Sequence, residues 1–304
     1  MRTGVLYVIT VLIWGSTWLA IEYQLGVVAP EVSLVYRFAG AAALMWLFCW
    51  WRGMDMRCGW LDHSYFLLLA CCNFGFNYLI LYWAQGYLTS AMTSIAFSTL
   101  LIMNIINTRL FFGKPIAPRT AIGASLGIAG IIALFWHDVA AFDLSSGALT
   151  GLLLALGGTL VASLGNMASV RNSNRGISVF VGNAWGMLYG AIGLALYALI
   201  SGAAFIVDWQ PAYLLSLGYL SVFGTVIAFA SYFLLLKDIG PAQASYTIVL
   251  FPVVAVVLST LFEGFEWHPN TVFGFVLVLI GNAIVLTPVE KFRARFSRAP
   301  VLPR

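Results

Sequence analysis

Between residues 64 and 84 an otherwise apolar stretch carries Asn73, Gly75, Asn77 and the rings Tyr78 and Tyr82, with Gln85 just beyond. On a helix Asn73 and Asn77 lie one turn apart, and Tyr78, Tyr82 and Gln85 follow an adjacent line at i, i+4 and i+7. These are amides and phenols with no charge among them. They hydrogen bond and stack, a chemistry suited to recognising a small amphipathic solute. Neighbouring apolar stretches add Trp14; Thr93, Ser94, Phe97, Ser98 and Asn104; Thr159, Ser163 and Asn166; Asn183 and Trp185; Thr225 and Tyr232; Tyr246 and Thr247. For substrate binding, Asn77, Tyr78, Tyr82 and Ser98 stand out, followed by Thr159, Ser163 and Tyr246. Trp14, Phe97 and Trp185 could receive an aromatic group. The competing reading is interhelical hydrogen bonding that only holds a bundle together. Both readings stay open for these residues.

Bond-making chemistry finds little support. No Asp or Glu falls near the centre of an apolar stretch, and His63, His137 and His268 all fall in polar connections. An intramembrane protease needs a Ser-His pair or two aspartates at membrane depth, or a metal held by closely spaced His and Glu. None is visible, so no catalytic residue, metal ligand or cofactor is expected. Cys49, Cys58, Cys71 and Cys72 show no metal-ligand or paired extracellular spacing, and read as free thiols packing as small hydrophobes. The chain offers no basic patch for nucleic acid, because its Lys and Arg are spread along its length.

Of the 304 residues, 62% are hydrophobic and 9% charged, against about a quarter charged in a soluble domain. The composition predicts an all-α integral membrane protein. A bilayer core of about 30 Å needs roughly 20 mainly apolar residues per helix. Ten such spans can be drawn: 4–22, 33–51, 64–84, 90–111, 120–136, 147–170, 177–200, 213–236, 242–262 and 271–288. Arg2 before the first run resembles the start of a signal peptide, but no small-residue cleavage site follows, and the run is read as the first span. Basic residues occupy alternate connections: Arg2; Arg52 and Arg57; Arg109, Lys114 and Arg119; Arg171 and Arg175; Lys237; and the tail from Lys291. The connections between carry Glu31, Asp138, Asp143, Asp208, Glu263 and Glu266. By the positive-inside rule both termini are cytoplasmic. Trp50, Trp51 and Trp60 fall at the inner boundary, and Trp83, Trp136, Trp209 and Trp267 at the outer one. Arg37 departs from the basic pattern, and its predicted place at the outer end of the second span suggests a pair with Glu22.

The stretch from Ala91 to Leu134 recurs from Ala242 to Val285 without a gap. Ala91 and Ser94 return as Ala242 and Ser245; Leu110, Phe111 and Gly113 as Leu261, Phe262 and Gly264. Pro118, Thr120, Gly123, Leu126 and Gly130 return as Pro269, Thr271, Gly274, Leu277 and Gly281. Apolar matches arise by chance, but the shared Gly, Pro and Thr positions point to a duplicated half. The halves are placed at 1–140 and 141–290, with a basic cytoplasmic tail at 291–304. Each holds five spans, so the second must insert upside down relative to the first.

Trp14-Gly15-Ser16-Thr17-Trp18, Pro30 and Arg37-Phe38-Ala39 resemble the opening of EamA-type proteins of the drug/metabolite transporter superfamily. So do the two repeated segments, each an Ala/Ser-rich helix, a Leu-Phe pair, a Gly and a Gly-containing last helix. The family usually carries a Glu after the Leu-Phe stretch; this chain has Lys114 near that place in the first repeat and Glu263 or Glu266 in the second. The layout is similar to exporters of aromatic and other neutral amino acids. The resemblance implies a secondary transporter working by alternating access in a bacterial inner membrane, with a broader drug or metabolite exporter as the alternative. A phosphorylated substrate would need Arg or Lys in the cavity, and a proton-driven drug antiporter a central carboxylate. Coupling to protons is therefore not expected. An amino-acid zwitterion would have to be met by Asn, Ser, Thr, Tyr, water or helix termini.

Pro252, near the middle of the ninth span, removes a backbone hydrogen bond and is a candidate hinge, whereas its counterpart Leu101 does neither. Gly182, Gly186 and Gly190 form one close-packing ridge and Gly123 with Gly127 another, with homodimer contacts among their uses. The charge pattern makes a topological prediction. In a cysteine-free background, single Cys residues replacing Arg52, Lys114 or Arg171 should resist a membrane-impermeant thiol reagent in intact cells and react in inverted vesicles. Labelling from outside would reverse the orientation.

Overall fold

Hydrocarbon offers no hydrogen bonds, so apolar segments close their backbone bonds internally as helices. The computed structural model describes residues 2–113, 115–116, 118–134, 136, 147–232, 234–235 and 246–286, and among these no strand occurs. Lys114, His137, Asp138, Asp143, Lys237, Ala242, Ser245 and the tail 291–304 lie outside the described residues.

The helices are α1 (Arg2–Glu22), α2 (Pro30–Trp51), α3 (Trp60–Asn73), α4 (Phe76–Gln85), α5 (Ser90–Phe97), α6 (Leu100–Phe112) and α7 (Pro118–Leu134). They continue with α8 (Gly147–Asn174), α9 (Val179–Ile200), α10 (Pro211–Tyr219), α11 (Tyr246–Phe262) and α12 (Pro269–Leu286). A π-helical segment, Leu220–Ile227, follows α10. Seven stretches are long and apolar enough to cross a membrane: α1, α2, α3 with α4, α5 with α6, α8, α9, and Pro211–Tyr232. Three shorter apolar helices lie within α7, α11 and α12. The architecture is that of an integral membrane protein.

Two expected continuous spans are interrupted. The third breaks at Phe74 and Gly75, where a Cβ on residue 75 would stand 3.1 Å from the Ala70 carbonyl oxygen. Asn73 and Asn77 therefore sit on separate helices rather than on one stripe. The fourth breaks at Ser98 and Thr99, whose hydroxyls donate to the carbonyls of Ile95 (2.7 Å) and Ala96 (2.8 Å). Such back-bonding competes with the helical ladder. Leu101 thus follows an interruption in the first half, while Pro252 lies inside an unbroken α11.

Both repeated Leu-Phe-x-Gly stretches end their helices alike. Gly113 has φ +68° and Gly264 φ +67°, left-handed conformations that glycine adopts without the Cβ penalty. The helices that follow, α7 and α12, pack on each other. A Cβ on Gly130 would come within 2.7 Å of the Gly274 carbonyl oxygen, and one on Gly281 within 2.5 Å of the Gly123 oxygen. Gly123 corresponds in sequence to Gly274, and Gly130 to Gly281, so the contact is reciprocal. Elsewhere α1 packs on α11 and α8 on α6, while α2 lies along α9. The ridge on α9 is taken up inside the molecule: Cβ atoms on Gly186 and Gly190 would meet the Phe74 ring and its carbonyl.

Trp50, Trp51, Trp60, Trp136, Trp209 and Trp267 are exposed, while Trp18 is buried and Trp14, Trp46 and Trp185 are partly buried. Without a hydrophobic force between helices in lipid, close backbone packing carries the association. Gly274→Ala and Gly130→Ala, each driving a methyl into the opposite backbone, should cost about 1–3 kcal/mol. Gly157→Ala, with nothing within 4 Å of its Cβ, should be neutral or stabilising. Thermal unfolding in detergent checks this, and a Gly274→Ala protein that melts like the parent would contradict the crossing.

Candidate functional site

Arg37 is eighth in α2, about 10 Å along the helix from its start at 1.5 Å per residue. Its side chain is buried, with 1% of the residue exposed. Instead of pairing with Glu22, its Nε donates to Thr225 Oγ1 (3.2 Å) and its Nη1 to the Tyr82 hydroxyl (3.4 Å). Glu22 lies close enough to Glu263 for their charges to interact. The Arg37 guanidinium lies 4.6 Å from the centre of the Tyr78 ring and 5.4 Å from that of Phe38. Cation–π contact of this kind contributes roughly 0.5–2 kcal/mol, more where water is excluded.

The π-helical segment makes this meeting possible. Thr225 Oγ1 donates to the Leu220 carbonyl five residues back (2.8 Å), which leaves its lone pairs for Arg37. Gly224 beside it approaches Thr17 on α1 so closely that a Cβ would come 2.8 Å from the Thr17 methyl. Widened turns of this type recur at functional sites.

From Arg37 a continuous run of rings crosses the bundle. Tyr78 meets Phe38 edge-on (5.2 Å), Phe38 meets Phe74 (5.8 Å), Phe74 meets Phe229 (5.7 Å) and Phe229 meets Trp14 (5.5 Å). Trp14 also contacts Tyr232 at 5.0 Å. One turn along α1, Trp18 packs on Phe97 (5.3 Å) and Phe251 (6.2 Å). Trp14, Tyr78, Tyr82 and Phe97 of the expected set are thereby linked through α1, α2, α4, α5, α11 and the 211–232 stretch. Asn77 is buried beside them on α4, and its side-chain oxygen lacks a partner.

Other expected residues lie elsewhere. The Ser98 hydroxyl donates to the Ile95 carbonyl (2.7 Å) and Thr159 Oγ1 to the Ala155 carbonyl (2.6 Å), each within its own helix. Ser163 accepts from Asn107 Nδ2 (2.8 Å) and donates to Asn104 Oδ1 (2.9 Å). Asn104 Oδ1 also accepts from Asn166, whose own oxygen accepts from Asn73. This network joins α3, α6 and α8 by the interhelical bonds that a packing role requires. Trp185 belongs to another cluster, meeting Trp46 and His63 edge-on and Tyr189 at a tilt, with its Nε1 donating to the Met56 carbonyl. The Tyr246 side chain lies outside the described residues.

The model of the EamA-like transporter family matches residues 2–136 and again 149–287. The chain belongs to that family. Its sequence is 27% identical over 299 residues to the uncharacterized inner membrane transporter YedA of Escherichia coli K12, covering 92% of this chain and 90% of that protein. It is 25% identical to the uncharacterized transporter YoaV of Bacillus subtilis 168, covering 89% and 91%. A crystal structure 17% identical in sequence superposes with a TM-score of 0.69 over 98% of this chain and 99% of that one, a likeness of fold. The family and the apolar helices make this a multi-pass membrane transporter, and YedA is consistent with an inner-membrane location.

Within this family member the residue missed by sequence reasoning is Arg37. The sequence places it at the outer end of the second span, paired with Glu22, whereas α2 begins at Pro30 and carries position 37 about 10 Å along the helix. Phe38, Phe74 and Phe229 are not among the expected site residues either, because a ring in an apolar run looks like any other packing residue until its neighbours are known.

Proposed function

We propose that this protein is a ten-span secondary transporter that exports small neutral, especially aromatic, amino acids or related metabolites by alternating access. Its substrate lies between two inverted five-span halves, 1–140 and 141–290, with both termini in the cytoplasm. The observation that carries this reading is the run of rings from Tyr78 to Trp14 and Tyr232, built from spans of both halves around polar groups. The duplication is supported by the twice-matched family model and by the reciprocal glycine contact of α7 and α12. In that reading α7 and α12 are scaffold, and Pro252 weakens α11 so that it bends as the cavity opens. Relatives named as transporters favour transport over enzymatic chemistry.

A broader exporter of flat amphipathic solutes is the second reading. It is favoured by the number of rings, since stacking surfaces are tolerant of shape.

Tyr78 supplies one aromatic contact, and such contacts contribute about 0.5–1.5 kcal/mol beyond area. Tyr78→Ala should lower the ratio of phenylalanine to alanine transport by about two- to tenfold. Reconstituted vesicles with matched protein levels give the ratio. An unchanged ratio for Tyr78→Ala and Tyr82→Ala alike would place the substrate away from this cluster.

A further inference from the structure

Arg37 presents a charge problem that its protein neighbours do not solve. A guanidinium carries five N–H donors. Two are used, both on neutral oxygens and both longer than the usual separation of about 2.9–3.0 Å. No carboxylate stands within 4 Å among the described residues. The rings of Tyr78 and Phe38 cover it without neutralising it. Its second terminal nitrogen, Nη2, makes no hydrogen bond with the described residues and lies beside Gly224, 3.8 Å from where a Cβ on that residue would stand. Charged groups buried in membrane segments are costly and mark substrate or ion pathways, and an uncompensated buried charge is strongly destabilising until an opposite charge meets it.

We propose that Arg37 is the carboxylate-binding residue of the site, and that the Nη1–Nη2 edge of its guanidinium takes the substrate's carboxylate. The inference rests on the placing of the substrate in this cluster. It changes the recognition chemistry: the anionic end of an amino acid meets a fixed cation rather than only amides and hydroxyls. The planar fork of Arg suits a carboxylate in a two-point contact. Thr225 holds Nε from behind and Tyr82 braces Nη1, so the fork is oriented before the substrate arrives. Tyr78 lies on the guanidinium face and is within reach of a ring carried by the same substrate. One compact group of side chains thus reads both the carboxylate and the aromatic part.

The test compares acids with their amides. Purified full-length protein in detergent is titrated with phenylalanine, phenylalaninamide, 3-phenylpropionate and 3-phenylpropanamide, with binding read from its tryptophan fluorescence. The parent protein should bind at least one acid about tenfold or more tightly than the matching amide. Arg37→Gln should abolish that preference while leaving amide binding within about threefold. Arg37→Lys keeps the charge without the fork, so it should retain a reduced preference; it carries the test if Arg37→Gln does not fold. A parent protein that binds no acid, or does not tell acid from amide, overturns the proposal. So does a variant that weakens both alike or keeps the full preference. Binding of 3-phenylpropionate without phenylalanine would uphold Arg37 as the carboxylate residue and remove the amino-acid reading of the substrate.

Discussion

In a membrane, a polar side chain cannot turn to solvent for its hydrogen bonds, and this constraint sorts the polar residues of the chain. Hydroxyls solve it locally: Thr10, Ser94, Ser98, Thr99, Thr159 and Ser221 each donate to a carbonyl one turn back on their own helix. Amides cannot reach their own ladder so easily and solve it between helices, as Asn73, Asn104, Asn107 and Asn166 do with Ser163. Among the described residues several groups fall outside these solutions. Arg37 has partial partners, while side-chain oxygens of Gln24, Asn77 and Gln85, the amide nitrogens of Asn183 and Asn282 and the Ser259 hydroxyl are buried with none. A buried polar group without a partner is where a ligand's hydrogen bond adds most.

Packing obeys a second consequence of the same medium. Lipid tails compete equally for apolar side chains, so helices adhere where backbones come close. The α7–α12 crossing shows the result, with glycines at corresponding positions of the two repeats meeting reciprocally. Gly186 and Gly190 repeat the device on α9, where they admit the Phe74 backbone and ring. Phe74 is thereby held at the interruption between α3 and α4, and its ring joins Phe38 to Phe229. Phe74 thus ties α9 to the run of rings.

Much of this was legible in sequence. The repeat was visible because Gly, Pro and Thr are not interchangeable in helices, and Gly113 and Gly264 share a left-handed backbone for the same reason. The tyrosine line was legible because Tyr78 and Tyr82 fall one turn apart on α4. The breaks at Gly75 and Ser98 were not, since hydrophobic runs continue across them. Sequence cannot say that the Ser98 and Thr159 hydroxyls donate to carbonyls of their own helices. Nor does it place Trp185 beside Trp46, His63 and Tyr189, which come from elements whose packing no periodicity encodes. Arg37 was misplaced for a related reason: its pairing depends on a π-helical segment nearly two hundred residues away, which alone brings Thr225 to it.

The proposed function rests on a division of labour among these parts: glycine-packed helices hold shape, an amide network ties α8 to α3 and α6, and an aromatic cluster surrounds one cation between α2, α4 and the 211–232 stretch. A protein so built should exchange solute across the membrane when solute is present on both sides. Counterflow measures this most directly. Proteoliposomes containing the purified protein are loaded with unlabelled phenylalanine and diluted into trace labelled phenylalanine. The account predicts transient accumulation of label above equilibrium, absent from protein-free vesicles and from vesicles loaded with buffer. No overshoot with phenylalanine, tryptophan, tyrosine or any smaller neutral amino acid would contradict it.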